Sequence, residues 1–241
     1  MIGSRLVRAL GVILFSAGVV LGLAFSAVAI WGDLEAVRFE RDLDVLSEAS
    51  LTTLRCPVIM TGQEGVVHAT FTNPFDRPVQ TRIRARISRY ITLMREEVET
   101  LSLAPGEERR LEWTVASDDI VYERLILVKV LQQRSYPLVG RSGSCGIVVL
   151  DLPGLTGTQV VVAAIVASLL GIGLGLGLWA VMTRSLRQPR QQTMRALGLV
   201  AGSTALAMLA SLLGWWVLGG LALVVTILLI GAVLGHFVIW R

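Results

Sequence analysis

The sequence predicts a membrane protein with four transmembrane helices and an antiparallel β-sandwich inserted between the first and second helices. Of the 241 residues, 54% are hydrophobic and only 17% are charged, whereas a soluble domain carries about 25% charged residues. Four apolar runs are about 20 residues long, which is the length needed to cross a bilayer. The block between the two cysteines of the chain, Cys56 and Cys145, is instead polar and shows the alternation of β-strands.

The distribution of charge separates the membrane part from the polar block. Residues 33–151 contain 15 of the 22 basic residues and all 18 acidic residues, so the block is mildly acidic. An acidic block does not suit a phosphate backbone, which argues against a nucleic-acid partner despite a pI near 9.7. The other basic residues are arginines at the ends of apolar runs, where membrane topology explains them: Arg5, Arg8, Arg184, Arg187, Arg190, Arg195 and Arg241.

Residues 1–32 are predicted to form an N-terminal tail and the first transmembrane helix. The apolar run that ends at Trp31 contains no charged residue. Ala27-Val28-Ala29 resembles a signal-peptidase site, but the run is longer than the apolar region of a signal peptide, so we expect a retained anchor. Gly18 and Gly22 lie near one helical face, a spacing that lets a second helix approach closely. The alternative is that glycine is simply common in membrane helices.

Residues 33–156 are predicted to form the β-sandwich. Between Asp33 and Glu48, charged residues alternate with leucine and valine, which fits either a short helix or a first strand. Further on, turn residues separate about seven short runs, several of which alternate clearly between apolar and polar residues. Such strands bury one face and expose the other, which is typical of antiparallel sheets. The runs include 66–72, 79–91, 97–103, 111–115, 125–131 and 147–150.

Two turn regions in this block resemble those of bacterial immunoglobulin-like modules of the adhesion and NPCBM-associated types. In the first, Thr72-Asn73-Pro74 is followed by Pro78-Val79 at the start of a strand. In the second, Leu103-Ala104-Pro105-Gly106-Glu107 precedes Leu111-Glu112-Trp113. The resemblance covers residues 56–150 and implies an immunoglobulin-like fold with a non-catalytic role as a spacer or binding domain.

After the sandwich, the sequence predicts a transmembrane helix at 157–183, a basic loop at 184–195 and a helical hairpin at 196–241. The loop contains four arginines and no acidic residue. The turn of the hairpin, Trp215-Trp216-Val217, is short and uncharged, so the last two helices should be antiparallel neighbours. Helix-packing contacts are expected where glycines recur four residues apart: Gly171, Gly175, Gly231 and Gly235.

The arginines also orient the predicted spans. Cytoplasmic loops carry an excess of arginine and lysine, which places both termini and the loop 184–195 in the cytoplasm. The sandwich then lies outside a cell membrane, either a plasma membrane or an inner membrane. Because that side is oxidising, Cys56 and Cys145 are predicted to form a disulfide, with two buried thiols as the alternative.

Tryptophans support the same spans. Five of the six lie near predicted ends of transmembrane helices, as expected for an interfacial aromatic belt: Trp31, Trp179, Trp215, Trp216 and Trp240. Trp113 is the sixth, and we expect it in the core of the sandwich.

Few residues of the sequence suggest a catalytic, cofactor or metal site. His68 is interpreted as a structural strand residue. His236 lies near the inner end of the last span and is interpreted as structural or interfacial, with a haem or pigment ligand or a partner contact as alternatives. Zinc needs three or four ligands, and the two cysteines lack a ligand spacing, so we expect no metal, no cofactor and no catalytic site.

Arg82, Arg84 and Arg86 occupy one face of a predicted strand. They could form a contact surface for an anionic partner, such as a polysaccharide or lipid headgroups. The simpler interpretation, which we favour because the block is acidic, is cross-strand pairing with glutamates of neighbouring strands: Glu97, Glu99 or Glu112.

These observations predict a non-enzymatic accessory, scaffold or assembly subunit of a membrane complex. Its sandwich and its glycine-rich helices would contact other membrane proteins or a second copy, in addition to the lipid bilayer. The alternative is a sensor or adhesin that binds a ligand of the cell envelope. An intramembrane enzyme or transporter is the least supported, because the spans contain no Asp, Glu, Lys or Arg.

Overall fold

The computed structural model describes residues 2–40, 47–90, 93–152, 154–182 and 188–239. Within its helices, the side chains of residues 2–5, 182, 188–192, 234 and 236–239 lie outside this description. The chain divides into two compact units. Residues 1–30 and 161–241 form a helical unit, and residues 31–160 form a unit that contains all the described strands.

Four helices account for the apolar runs: α1 (Ile2–Arg38), α2 (Gly157–Met182), α3 (Gln188–Leu212) and α4 (Trp216–Ile239). Each contains a segment that is long and apolar enough to cross a membrane, which is the signature of a membrane protein. The 37 residues of α1 correspond to about 55 Å at 1.5 Å per residue, compared with a hydrocarbon core of about 30 Å. The helix therefore continues well beyond the length that a bilayer requires.

The helix boundaries refine the prediction at two places. α1 continues without a break to Arg38, so the first part of the segment that the sequence left open between Asp33 and Glu48 is a helix. Residues 41–46 of that segment lie outside the described residues. α3 begins at Gln188, so residues 188–195 are helical where a loop was expected. That loop was inferred from charge, but glutamine and arginine are good helix formers and Pro189 is tolerated in a first turn. Arg184 and Arg187 lie outside the described residues.

The described residues contain eight strands, which form two sheets. They are β1 (Ala49–Ser50), β2 (Ile59–Met60), β3 (Gly65–Thr72), β4 (Val79–Arg89), β5 (Leu93–Leu103), β6 (Glu108–Val115), β7 (Leu125–Gln132) and β8 (Arg141–Leu150). The larger sheet has the order β1-β8-β7-β4-β5, with β2 also paired to β8, and the smaller sheet is the pair β3-β6.

The prediction of a purely antiparallel arrangement is wrong at one edge of the larger sheet. Its central pairs and the β3-β6 pair are antiparallel, but β1 and β2 both run parallel to β8. These two strands have only two residues each. A strand this short shows no alternation, so the sequence pattern contains no signal for it.

The two sheets enclose one apolar core, which makes residues 47–152 a β-sandwich. Side chains that alternate along β3 and β6 meet side chains that alternate along the larger sheet. Trp113 lies in this core, as predicted. The main contributors are Val67, Phe71, Leu111, Trp113, Val115, Ile83, Ile87, Leu101, Leu103, Ile126, Val128, Val130, Ile147 and Val149.

The two predicted turn regions are joined by the fully buried side chain of Asn73. Its amide nitrogen donates hydrogen bonds to the carbonyl oxygens of Arg77 (2.8 Å), Leu103 (3.1 Å) and Ala104 (3.0 Å). Its amide oxygen accepts a hydrogen bond from the backbone N–H of Phe75 (3.1 Å). One asparagine therefore holds the turn before β4 against the turn between β5 and β6.

The second turn, Ala104-Pro105-Gly106-Glu107, is closed by a hydrogen bond from Glu107 N to Ala104 O (3.0 Å). Gly106 has a φ of +71°, a conformation that glycine adopts without the steric cost of a side chain. The carboxylate of Glu107 accepts a further hydrogen bond from Ala104 N (2.7 Å). That bond, together with one from Arg109, lowers the pKa of Glu107 below its usual range.

Candidate interaction surfaces

Cys56 and Cys145 form a disulfide that ties the segment between β1 and β2 to β8, with a Cα–Cα distance of 6.4 Å. Both cysteines pack against the core of the sandwich. The bond closes a loop over a sequence separation of 89 residues, so it constrains nearly the whole strand-forming block.

Glycines on α1 and α2 bring the two helix backbones into contact. A Cβ atom at Gly171 would lie 3.0 Å from Gly18 Cα, and one at Gly175 would lie 2.7 Å from Gly11 O. The hydroxyl of Ser168 donates a hydrogen bond to Gly18 O across this contact (2.7 Å). Small residues four apart thus create the close crossing that their spacing suggests, and they do so between two helices of one chain.

Gly22 lies where α1 meets both α2 and α3. A Cβ atom there would be 2.8 Å from Ser168 Oγ, 2.8 Å from Thr204 Cγ2 and 2.9 Å from Met208 Sδ. Gly18, Gly22, Gly171 and Gly175 are therefore occupied within the chain, and a partner helix would have to use other positions.

Other glycines have open space around them. Among the described atoms, none lies within 4 Å of a Cβ placed at Gly173, Gly177, Gly231 or Gly235. Gly173 and Gly177 repeat the four-residue spacing of the occupied pair on α2, and Gly231 and Gly235 repeat it on α4. The expected packing role of Gly231 and Gly235 remains a prediction, since no described atom contacts them.

The contrast between Gly171 and Gly173 provides a test of the helix crossing. Gly171→Leu should destabilise the helical unit by about 1–3 kcal/mol, because the new side chain collides with the backbone of α1. Gly173→Leu, only two residues away, should leave the stability of the purified chain unchanged. Thermal unfolding of the full chain in mild detergent measures both, and equal melting temperatures for the two variants would contradict the crossing.

Arg84 and Arg86 of β4 form ion pairs, but not with the glutamates that the sequence suggested. Arg84 Nη1 lies 3.7 Å and Arg86 Nε 3.3 Å from Glu96 Oε1, and Arg86 also pairs with Glu40 after the end of α1. Arg82 is exposed. Two of the three arginines are thus engaged in cross-strand or helix contacts, which fits the structural interpretation of this stripe.

Strand register explains why the predicted partners are wrong. Arg86 is opposite Glu96, whereas Glu97 is opposite Ala85 and Glu99 opposite Ile83, so the two odd-numbered glutamates lie on the other face of the sheet. Glu97 pairs with Arg95 instead. Glu112 belongs to β6 in the other sheet and pairs with Arg110.

The end of α1 lies on the outer face of the larger sheet, a contact that the sequence did not predict. A Cβ atom at Gly32 would be 3.2 Å from Gly146 O of β8. The carboxylate of Asp33 accepts a hydrogen bond from Gly146 N (3.4 Å). An apolar cluster continues the contact toward β7: Ala36, Phe39, Val121, Leu125, Leu127 and Val148.

Lys129 of β7 contributes to the contact between the end of α1 and the sheet, which we call the α1-sheet junction. It is the only lysine in the chain and is 1% exposed. Its ammonium group donates a hydrogen bond to Phe39 O (3.1 Å), just after the last residue of α1, where a positive charge is favourable. A single lysine within the apolar run of β7 was the signal in the sequence that could have indicated such a buried contact.

The start of α2 also packs against the sandwich. β2 pairs with the end of β8, with Ile59 opposite Val149. The first residue of α2, Gly157, lies so close to Val58 O that a Cβ atom would overlap with it. Only residues 151–156 separate β8 from α2, so both helix ends adjoining the sandwich are packed against it.

Of the two histidines, His68 is the one whose side chain the structure describes. His68 of β3 faces Glu112 across the strand pair, and its pKa is lowered by partial burial and by the charge of Arg110. The side chain of His236 lies outside the described residues. Within the described ranges, no group of three or more His, Cys, Asp or Glu side chains is placed to hold a metal ion.

No protein-family model matches the chain, and no curated protein matches it. Among solved structures, the chain is similar to a cycloisomaltooligosaccharide glucanotransferase from Paenibacillus sp., with 13% identity and a TM-score of 0.35 over 43% of this chain and 14% of that one. It is also similar to a CARDB domain from Pyrococcus furiosus in complex with di-metal ions, with 16% identity and a TM-score of 0.32. The match covers 44% of this chain and 96% of that domain. A red sea bream transglutaminase has 17% identity and a TM-score of 0.31. The match covers 42% of this chain and 17% of the transglutaminase. These likenesses are too low to carry an argument about function.

Proposed function

We propose that the chain is a non-enzymatic accessory or scaffold subunit of a membrane complex. Its termini would lie in the cytoplasm, and its sandwich would lie on the outer side of a plasma membrane or inner membrane. The observation that best supports the proposal is the double attachment of the sandwich, through Gly146 to α1 and through Val58 to α2. Both contacts lie within the strand-containing unit and extend it by the adjoining helix ends, which favours a folded module for protein contacts over a flexible linker.

We further propose that the sandwich is immunoglobulin-like. The strand order β8-β7-β4-β5, with β3-β6 in the second sheet, corresponds to the order G-F-C-C′ and to the pair B-E of a variable-type immunoglobulin domain. Two features differ from that pattern. The disulfide connects β8 to the segment before β2 rather than joining two central strands, and Trp113 stands on β6 rather than on β4, the counterpart of strand C.

The open glycines supply a surface for partner helices in this proposal. Gly173 and Gly177 on α2, like Gly231 and Gly235 on α4, have no described atom against them. In a bilayer, small residues at this spacing favour association with another helix. The chain has already used the same spacing for its own α1-α2 crossing.

The complex can be tested by affinity purification of the full chain in mild detergent, followed by native electrophoresis. We expect a stoichiometric membrane partner or a second copy. Replacing both glycines of an open pair by leucine, at 173 and 177 or at 231 and 235, should release the partner in at least one case without lowering the melting temperature. Alanine at the same positions is the matched control and should retain the complex. Migration of the wild-type chain as a monomer without partners would contradict the proposal.

The α1-sheet junction, which includes Lys129, favours a sensor as the second candidate function. A ligand that displaced β7 would displace the end of α1, because both belong to the same buried contact. The purification separates the two candidates, since a sensor or adhesin would be isolated alone and would bind an envelope glycan or peptide.

A further inference from the structure

The sandwich exposes apolar and aromatic side chains beside the start of α2. Tyr122 precedes β7 and is 62% exposed, while Leu152 and Leu155 follow β8 and are 45% and 46% exposed. Single exposed hydrophobic residues are normal on proteins. These three differ because they lie on two neighbouring segments next to a helix that is apolar enough to cross a membrane.

A continuous set of contacts connects these segments to the first residue of α2. Arg124 O, two residues after Tyr122, accepts a hydrogen bond from Val149 N (2.8 Å). Val149 is opposite Ile59 in the parallel pair of β2 and β8, and Gly157 packs on Val58. The loop around Tyr122 and the beginning of α2 therefore flank the same end of β8.

The backbone of the loop is held in a conformation that costs energy. Tyr122 has a φ of 51° and Glu123 a φ of 64°, values that are uncommon for residues other than glycine and that are energetically unfavourable for them. Hydrogen bonds in both directions between Val121 and Leu125 maintain this tight loop (2.6 and 3.0 Å). The fold thus keeps a tyrosine exposed at the tip of a strained loop.

We propose that Tyr122, Leu152 and Leu155 contact the interfacial region of the bilayer in which α2 is anchored. Tyrosine is enriched at membrane interfaces because its ring is apolar and its hydroxyl is polar. The exposed charges near these residues, on Glu123, Arg124 and Asp151, can remain in water at headgroup depth, where Arg124 is suited to lipid phosphates.

Lipid is favoured over a protein partner because the connection that contains both leucines leads directly into α2, a helix apolar enough to cross a membrane. This contact is independent of which subunits the chain assembles with.

Site-directed spin labelling of the full chain tests the contact. Tyr122→Cys and Leu155→Cys each introduce one free thiol, since the native cysteines are joined in a disulfide. The labelled proteins are reconstituted alone into phosphatidylcholine and phosphatidylglycerol vesicles, and collision with oxygen is compared with collision with a water-soluble nickel chelate. Tyr136→Cys is the control, because Tyr136 is 85% exposed in the β7-β8 connection, at the opposite end of β7.

We expect the ratio of oxygen to nickel accessibility to be several-fold higher at positions 122 and 155 than at position 136. Replacing both Leu152 and Leu155 by asparagine should move the label at position 122 toward the value at position 136. Thermal unfolding of each variant verifies that the sandwich is intact. The proposal is overturned if the label at position 122 is as accessible to nickel as the label at position 136. It is also overturned if neither reagent reaches position 122, which would indicate a contact with protein.

Discussion

Replacing both Cys56 and Cys145 by alanine is expected to destabilise the sandwich by about 3–5 kcal/mol. The bond spans a sequence separation of 89 residues, and removing a cross-link over such a long loop restores much conformational freedom to the unfolded chain. Thermal unfolding of the full chain in detergent, followed by near-ultraviolet circular dichroism, should show a large drop in the melting temperature of the strand-containing unit.

Reduction of the wild-type protein is the control for this prediction and should give nearly the same loss as the double substitution. Thiol labelling provides an independent measurement. Without reductant, neither cysteine should react even in denaturant. Labelling of both cysteines under those conditions would show that the bond does not form, and an unchanged melting temperature would show that it does not stabilise the fold.

Asn73→Ala is expected to lower the free energy of unfolding by about 3 kcal/mol. Three backbone carbonyl oxygens would lose the donor that Asn73 provides, and Phe75 N would lose its acceptor. Each buried group left without a partner costs about 1–3 kcal/mol, and water entering at the partly buried turn offsets part of the sum. Urea unfolding of the full chain in detergent should show a clearly lower midpoint.

Two variants define the origin of this effect. Asn73→Asp retains an acceptor for Phe75 N but removes the three donated bonds, so most of the loss should persist. Gln63→Ala changes an exposed polar residue in another turn and should alter stability by less than about 0.5 kcal/mol. If Asn73→Ala were as well tolerated as Gln63→Ala, the turns would not depend on this side chain.

Local patterns in the sequence were sufficient for the four apolar helices and for the two turns of the sandwich. Apolar runs of bilayer length predicted the four helices, because a helix in a bilayer must be apolar over a length that the membrane dictates. The turn residues around Asn73 and Gly106 predicted both turns correctly, because backbone conformation there depends on the residues themselves. With only two cysteines in the chain, their pairing needed no knowledge of the fold.

Contacts between distant segments were beyond these patterns. Alternation along β4 indicates that Arg82, Arg84 and Arg86 share a face, but the register with β5 decides that Glu96 is the partner. The apolar run of β7 does not reveal what covers each face, and the end of α1 proved to cover the outer one. The glycines of α2 have identical spacing, yet Gly171 meets α1 whereas Gly173 does not.

The sequence by itself determined the four apolar helices, the six longer strands and the turns around Asn73 and Gly106, and it predicted the disulfide. The tertiary structure alone decided how the helix ends meet the sandwich, through Gly32 and Gly146 on one side and through Gly157 and Val58 on the other. The physical reason is that the periodicity of side chains reports which face of an element is apolar. The residue that packs against that face is specified by the arrangement of the whole chain.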